Sequence, residues 1–161
     1  MRLTYSQVSM RSWASLSLLL VGAPAWACWC AHISVEEEFA GSKAVFLATV
    51  VSEDPIGGVT SPEEWLARLQ VQKVWKSDGR PIDIIVTPVH AGSCGTQLIP
   101  GEQYIVFAYR SDDGTLRTMT CNRTIPVEFG PKCTVYRHQC EHHKRRVTEL
   151  LDFLRQREMQ H

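Results

Sequence analysis

The sequence predicts a mainly β domain with a short helix at its start and a longer helix at its end. Short β-branched and apolar runs recur between residues 43 and 120, and each is closed by Gly, Pro or Asp. From residue 141 onward the apolar residues recur every three to four positions, which indicates a helix. No internal repeat or low-complexity linker divides the chain. Five short strands with closely spaced turns favour a small β-barrel or sandwich.

The first 27 residues have the layout of a secretory signal peptide. Arg2 and Arg11 supply positive charge, a short apolar stretch follows, and Ala25-Trp26-Ala27 fits the small-x-small cleavage rule. The apolar stretch is too short to span a bilayer and stop there. We therefore expect a secreted or periplasmic protein with no transmembrane segment after processing. Two alternatives stay open: an uncleaved anchor, and a lipoprotein anchored through Cys28, whose preceding residues suit lipoprotein processing poorly.

The mature part, residues 28–161, is one domain long and carries little net charge. The signal peptide holds two of the 17 basic residues and none of the 17 acidic residues, so nothing in the charge points to a nucleic-acid partner. An even number of cysteines in an exported chain predicts disulfides, although the count alone leaves the pairing open. All six cysteines lie in the mature part: Cys28, Cys30, Cys94, Cys121, Cys133 and Cys140.

The first predicted elements are a short helix and two strands. Ser34 is placed to cap the helix with Glu37 as its capping-box partner, and Gly41 ends it. The first strand, 43–52, is followed by a predicted loop that contains Glu53-Asp54-Pro55 and Gly57-Gly58. The second strand, 65–76, alternates apolar and polar residues until Val74-Trp75 breaks the pattern, which indicates a bulge or bend.

Three further strands are predicted at 82–87, 103–109 and 115–120, with a hairpin turn at Asp112-Asp113-Gly114 between the last two. An amphipathic helix is then predicted over about 141–158, with its apolar stripe packed on the β domain; the stripe is Val147, Leu150, Leu151 and Leu154.

The basic start of that helix is expected to be a solvated face rather than an anion or lipid patch; it comprises Arg137-His138 and His142-His143-Lys144-Arg145-Arg146. A metal site built from His138, Cys140, His142 and His143 is an alternative, but an exported cysteine with Cys133 nearby is more often oxidised.

The order of these features resembles the tissue inhibitors of metalloproteinases and the wider netrin-like modules, including their small bacterial relatives. The resemblance covers residues 28 to about 121. It implies a five-stranded OB-fold barrel with a short N-terminal helix and a C-terminal helix, and we expect a monomer. The matching residues are Cys28-Trp29-Cys30-Ala31, Val45-Phe46, Val74-Trp75-Lys76, Ser93-Cys94-Gly95, Gly101-Glu102-Gln103-Tyr104-Ile105-Val106-Phe107 and Thr120-Cys121.

The resemblance also implies the disulfide pairs Cys28–Cys94 and Cys30–Cys121, which leaves Cys133–Cys140 as a local bridge. It implies an inhibitor of a zinc metalloproteinase that has no cofactor of its own. In that family the amine and carbonyl of the first mature cysteine, here Cys28, chelate the zinc of the protease. A catalytic zinc keeps one position open for water, and these two groups displace that water.

The resemblance assigns the surrounding residues to protease binding. Trp29 faces the specificity pocket of the protease, Cys30 and Ala31 continue the segment, and Ser93 and Cys94 form the neighbouring ridge. The animal inhibitors carry a small residue, commonly Thr or Ser, at the position of Trp29, and they have a second domain that this chain lacks. Either the target has a deep pocket or this ridge does not inhibit a protease of that class.

Two other classes of function compete with inhibition. One is a non-inhibitory exported module, binding or structural, whose cysteines only staple the fold. The other is an enzyme, which we do not expect: the chain has no Cys-x-x-Cys in a redox setting, and its histidines do not form the helical pair of a zinc protease.

Overall fold

The computed structural model describes Cys30 and residues 32–58, 61–88, 94–128 and 137–159. These parts form a mainly β fold with one six-stranded mixed sheet, a short helix before it and a longer helix after it. No helix in the described ranges is long and apolar enough to cross a membrane. The elements in chain order are α1 (Val35–Gly41), β1 (Ala44–Gly58), β2 (Ser61–Lys76), β3 (Ile84–Pro88), β4 (Gln103–Arg110), β5 (Leu116–Arg117), β6 (Ile125–Pro126) and α2 (Arg137–Glu158). The predicted signal peptide, 1–27, lies outside the described residues.

The strand pairings form a continuous series. The order in the sheet is β1-β2-β3-β5-β4-β6, and β4 also pairs with β1. All pairs are antiparallel except β3 with β5, which run parallel with Val86 opposite Arg117. β1 therefore has a partner strand on both sides between Val45 and Thr49, and beyond that point it pairs with β2 alone.

β1 and β2 are both longer than predicted. The expected loop at Glu53-Asp54-Pro55 and Gly57-Gly58 is wrong, because β1 continues to Gly58 and Pro55 lies opposite Trp65 of β2. Proline lacks an N–H group and is tolerated where one edge of a strand needs no hydrogen bond. The ladder with β4 has ended before this point, so the missing donor of Pro55 costs β1 no hydrogen bond to β4.

The predicted irregularity near the end of β2 is confirmed. Val45 lies opposite Lys76 and Phe46 lies opposite Val74, so Trp75 between them has no partner in the register. Gln72 is likewise skipped in the register, three residues before Trp75. A bulge changes the face on which later side chains lie. The core side chains of β2 before Gln72 therefore pack in one cluster, whereas Trp75 after it packs against the other.

The later strands differ from the prediction in length and number. β5 has two residues rather than six, and β6 is a sixth strand that the sequence does not indicate. β6 pairs with β4 through Ile125 opposite Ile105. A strand of two residues shows no alternation, and Pro126 argues against a strand, so the sequence carries no signal for it. The predicted hairpin is confirmed, since Tyr109 of β4 lies opposite Arg117 of β5.

Side chains on both faces of the sheet are buried in two clusters. Phe46 and Val106 belong to the first, whereas their neighbours Val45 and Phe107 belong to the second. Successive side chains of a strand point to opposite faces, so β1 and β4 supply both clusters. The second cluster, called the helix-side cluster below, includes the predicted stripe of α2: Val147, Leu150 and Leu154 are buried, and Leu151 is half-buried.

Candidate functional site

The candidate site starts at the disulfide between Cys30 and Cys121. The two Cα atoms are 5.1 Å apart, although the residues are 91 positions apart in the chain. The predicted pair is therefore confirmed. It attaches Cys30, where the described chain begins, to the segment that follows β5.

Cys94 lies beside this disulfide. The backbone N–H of Thr120 donates to the carbonyl of Cys94 over 2.7 Å, and the Thr120 hydroxyl donates to the carbonyl of Gly95 over 2.6 Å. Cys94 is itself disulfide-bonded. Cys30, Cys94 and Cys121, far apart in sequence, are thus brought together around Thr120. The other predicted site residues, Cys28, Trp29, Ala31 and Ser93, lie outside the described residues.

The backbone of Cys94 adopts a left-handed conformation with φ of 62°. This region is uncommon for a residue with a side chain, and it costs on the order of 1 kcal/mol. The disulfide of Cys94 and the two hydrogen bonds from Thr120 oppose that cost. The backbone at Cys94 is therefore held in a conformation that its own preference disfavours.

A capping box fixes the turn from Cys30 into α1. The hydroxyl of Ser34 accepts from the N–H of Glu37 over 3.2 Å, and the N–H of Ser34 donates to the Glu37 carboxylate over 2.9 Å. The hydrogen bond from the Ser34 backbone N–H foremost, and then one from the Ser34 side chain, lower the pKa of the Glu37 carboxyl. The box predicted from the sequence is confirmed, and it satisfies two donors at the start of the helix.

Glu38 and Arg123 join the two segments that flank the disulfide. Glu38 is 6% exposed, and its carboxylate accepts from Arg123 Nε over 2.9 Å and from the backbone N–H of Arg123. Arg123 Nη2 also donates to the carbonyl of Ile33 over 2.9 Å. Sequence analysis missed this pair, because the two residues are 85 positions apart and no local pattern links them.

The start of α2 is anchored to β6 through His143. This side chain is 8% exposed, and its Nε2 lies 2.8 Å from the carbonyl oxygen of Pro126, to which it donates. Burial lowers the pKa of His143, and the charge of nearby Arg146 acts in the same direction. The expectation that the basic start of the helix is a wholly solvated face is wrong at this residue, because position 143 faces the sheet.

The alternative of a metal site at this end of α2 finds no support. Cys140 is disulfide-bonded, so it offers no thiolate, and its predicted partner Cys133 lies outside the described residues. His143 already donates to a backbone carbonyl. Within the part of the chain that the structure describes, no three His, Cys, Asp or Glu side chains are grouped to hold a metal ion.

A cleft opens between the segment after Cys30, the loop after Cys121 and α2. It has a volume of about 140 Å³, and His32, Asn122 and Arg146 are among the residues that line it. Arg146 belongs to the basic start of the predicted helix, but nothing in the sequence places it near the cysteines. The cleft therefore depends on the tertiary fold, which brings α2 beside the disulfide.

Comparison of the chain with models of protein families and with curated proteins found no match. The geometry of the site brings the segment between Cys30 and α1 beside the loop after Cys121, joined by a disulfide and by the buried carboxylate of Glu38. These two links limit how far the two segments can separate.

Proposed function

We propose that this chain is an exported inhibitor of a zinc metalloproteinase, built on an OB-fold domain similar to tissue inhibitors of metalloproteinases and netrin-like modules. The observation that carries the proposal is the Cys30–Cys121 disulfide with Cys94 hydrogen-bonded beside it. This arrangement holds Cys30, the third residue of the proposed mature chain, beside the segment that begins at Cys94. A segment fixed in this way is suited to enter an active-site cleft as one rigid surface.

The order of strand pairing supports the OB-fold part of the proposal. The pairings pass from β1 through β2, β3, β5 and β4 and return to β1, as expected for a sheet closed into a barrel. The parallel contact of β3 with β5 completes this circuit, and β6 lies outside it, attached to β4. Closure removes open sheet edges, so a small barrel is a stable scaffold for a binding segment.

In the proposed complex, Cys28 binds the zinc of the protease through its α-amine and carbonyl oxygen. An α-amine has a pKa of about 7.7–8.0, so a neutral fraction is present near pH 7 and the metal draws out more. The Trp29 side chain enters the specificity pocket of a protease whose pocket is deep. Cys30, Ala31, Ser93 and Cys94 form the contact surface around it.

A one-residue extension of the N-terminus tests the proposal. Protein that begins at Cys28 is compared with protein that carries one additional Ala before it, in assays against a panel of zinc endopeptidases. We expect the extension to weaken inhibition by about 100-fold or more, because the Cys28 nitrogen becomes a peptide amide, which is a poor zinc ligand, and the free amine moves one residue away from Cys28. Thermal unfolding and the number of disulfides by mass spectrometry serve as controls and are expected to be the same for both proteins.

Two results would contradict the proposal. Equal inhibition with and without the added Ala excludes chelation by Cys28. An N-terminus that is acylated in the exported protein, shown by intact mass and N-terminal sequencing, removes the chelating amine. If the mature protein inhibits no zinc peptidase, the alternative of a non-inhibitory module with structural cysteines is favoured.

A further inference from the structure

The cleft next to the N-terminal segment has an unusual balance of hydrogen-bonding groups. Its carboxylate and amide side-chain oxygens already accept within the protein: both oxygens of Glu38 accept from Arg123, and the side-chain oxygen of Asn122 accepts from the N–H of Met119 over 3.0 Å. The proton of the Thr120 hydroxyl is also in use, since it donates to the carbonyl of Gly95. A ligand in this cleft therefore meets a carboxylate and an amide oxygen that are already paired within the protein.

Three side-chain donors that line the cleft make no hydrogen bond within the described residues. The side-chain amide nitrogen of Asn122, the ring of His32 and the guanidinium of Arg146 all belong to residues that line the cleft, and none of them donates to another group in the described ranges. His32 and Arg146 are exposed, and Asn122 is half-buried. The three donors come from three separate segments of the chain.

Arg146 carries the charge that distinguishes this cleft. It lines both this cleft and a neighbouring cavity of about 130 Å³ that Glu149 also lines, yet among described residues neither side chain takes part in an ion pair. The charge of Arg123 is matched by Glu38. Among the described residues that line the cleft, Arg146 is thus the arginine without an ion-pair partner, and a guanidinium presents several N–H donors in a planar arrangement that matches a carboxylate.

We propose that this cleft binds a carboxylate, held by the Arg146 guanidinium with the Asn122 amide and the His32 ring as further donors. Because the cleft adjoins the N-terminal segment, the carboxylate is assigned to an Asp or Glu side chain of the protein that this segment binds. The assignment of the carboxylate to a bound protein rests on the proposed function. The proposal that the cleft binds a carboxylate does not depend on that function.

The cleft is tested in the isolated mature protein by NMR, with N-acetylglutamate N-methylamide as the probe and the corresponding glutamine compound as its uncharged control. We expect the glutamate probe, and not the glutamine probe, to shift the side-chain N–H signals of Arg146 and Asn122. Arg146→Gln is expected to abolish the shift at Asn122. Arg145→Gln is the matched control, since it removes the same charge from an exposed neighbour on α2, and it is expected to retain the shift.

Several outcomes would overturn the proposal. Equal shifts with the glutamate and glutamine probes would exclude recognition of the carboxylate charge. Equal loss of the Asn122 shift in Arg146→Gln and Arg145→Gln would exclude a specific role for Arg146. Absence of any shift at the two side chains excludes the site. Tighter binding of free succinate than of the capped glutamate would overturn the assignment to a partner side chain and indicate a small dicarboxylate instead.

A second measurement separates the cleft from the proposed function. Against a protease that the mature protein inhibits, Arg146→Gln is expected to raise the inhibition constant by about tenfold, and Arg145→Gln is expected to leave it nearly unchanged. An unchanged constant in Arg146→Gln would contradict the assignment to the partner. If no protease is inhibited but the NMR shifts are observed, the proposed function fails and the carboxylate site stands.

Discussion

At the scale of single residues, Glu38 is the carboxylate on which the shape of the site depends. Replacing it with Ala removes the acceptors of the Arg123 guanidinium and of the Arg123 backbone N–H. We expect a loss of about 1–3 kcal/mol in the free energy of unfolding, measured by urea denaturation, since Glu38 is buried and Arg123 is 31% exposed at its side chain.

Glu36→Ala is the control for this change, because Glu36 is exposed in the same first turn of α1. Both variants lose a favourable interaction with the helix dipole, which is about 0.3–1 kcal/mol at an exposed position. The difference between their free energies of unfolding measures the contribution of the contact between Glu38 and Arg123. Equal losses of free energy of unfolding in the two variants would contradict a stabilising role for that contact.

At the scale of elements, α1 is held at both ends. Its start carries the capping box, and at its end the Lys76 ammonium donates to the carbonyls of Phe39 and Ala40 over 2.6 and 2.7 Å. Burial, assisted by the charge of Lys43, lowers the pKa of Lys76. A cation at these carbonyls suits the negative end of the helix dipole, and it joins α1 to the end of β2.

The contact between α2 and β6 predicts a pH dependence of stability. Burial lowers the pKa of His143 below its ordinary value of 6.5, so below that pH the unfolded chain binds more protons than the folded one. Stability is therefore expected to fall as the pH decreases from 6.5 toward the lower pKa of the folded state. The free energy of unfolding from urea denaturation at a series of pH values measures this slope.

His143→Gln is the variant for that measurement, because the Gln amide retains a donor for the Pro126 carbonyl but does not titrate. We expect it to reduce the slope below pH 6.5 and to leave the stability near pH 8 little changed. His142→Gln, at the exposed neighbouring position, is expected to keep the slope. A slope that His143→Gln leaves unaltered would show that other groups cause it.

At the scale of the whole molecule, the helix-side cluster attaches α2 to the sheet through Leu154, which is fully buried. Leu154→Ala is expected to lower the free energy of unfolding by about 2–5 kcal/mol, because it leaves a cavity between the helix and the sheet. Leu151→Ala, at a half-buried position on the same helix, is expected to cost less. Urea denaturation of both variants measures the difference, and a larger loss for Leu151→Ala would contradict this packing.

Part of the fold could be predicted because it depends on neighbours in the chain. The capping box of α1, the strand β4, the hairpin into β5 and the stripe of α2 all arise from residues a few positions apart. The irregularity near Trp75 was visible as a break in alternation. In each case the pattern of the sequence reflects the geometry of one element, so no knowledge of distant contacts is needed.

The sequence by itself therefore determined a mainly β chain with a helix before and after the sheet, and its cysteine count indicated disulfides without a pairing. The tertiary structure decided that Pro55 lies in a strand, that β6 exists, and that Glu38 meets Arg123. It also placed Arg146 beside the Cys30–Cys121 disulfide. These features join segments far apart in the chain, and such contacts are selected by burial, strand pairing and charge in the folded molecule, which local patterns do not encode.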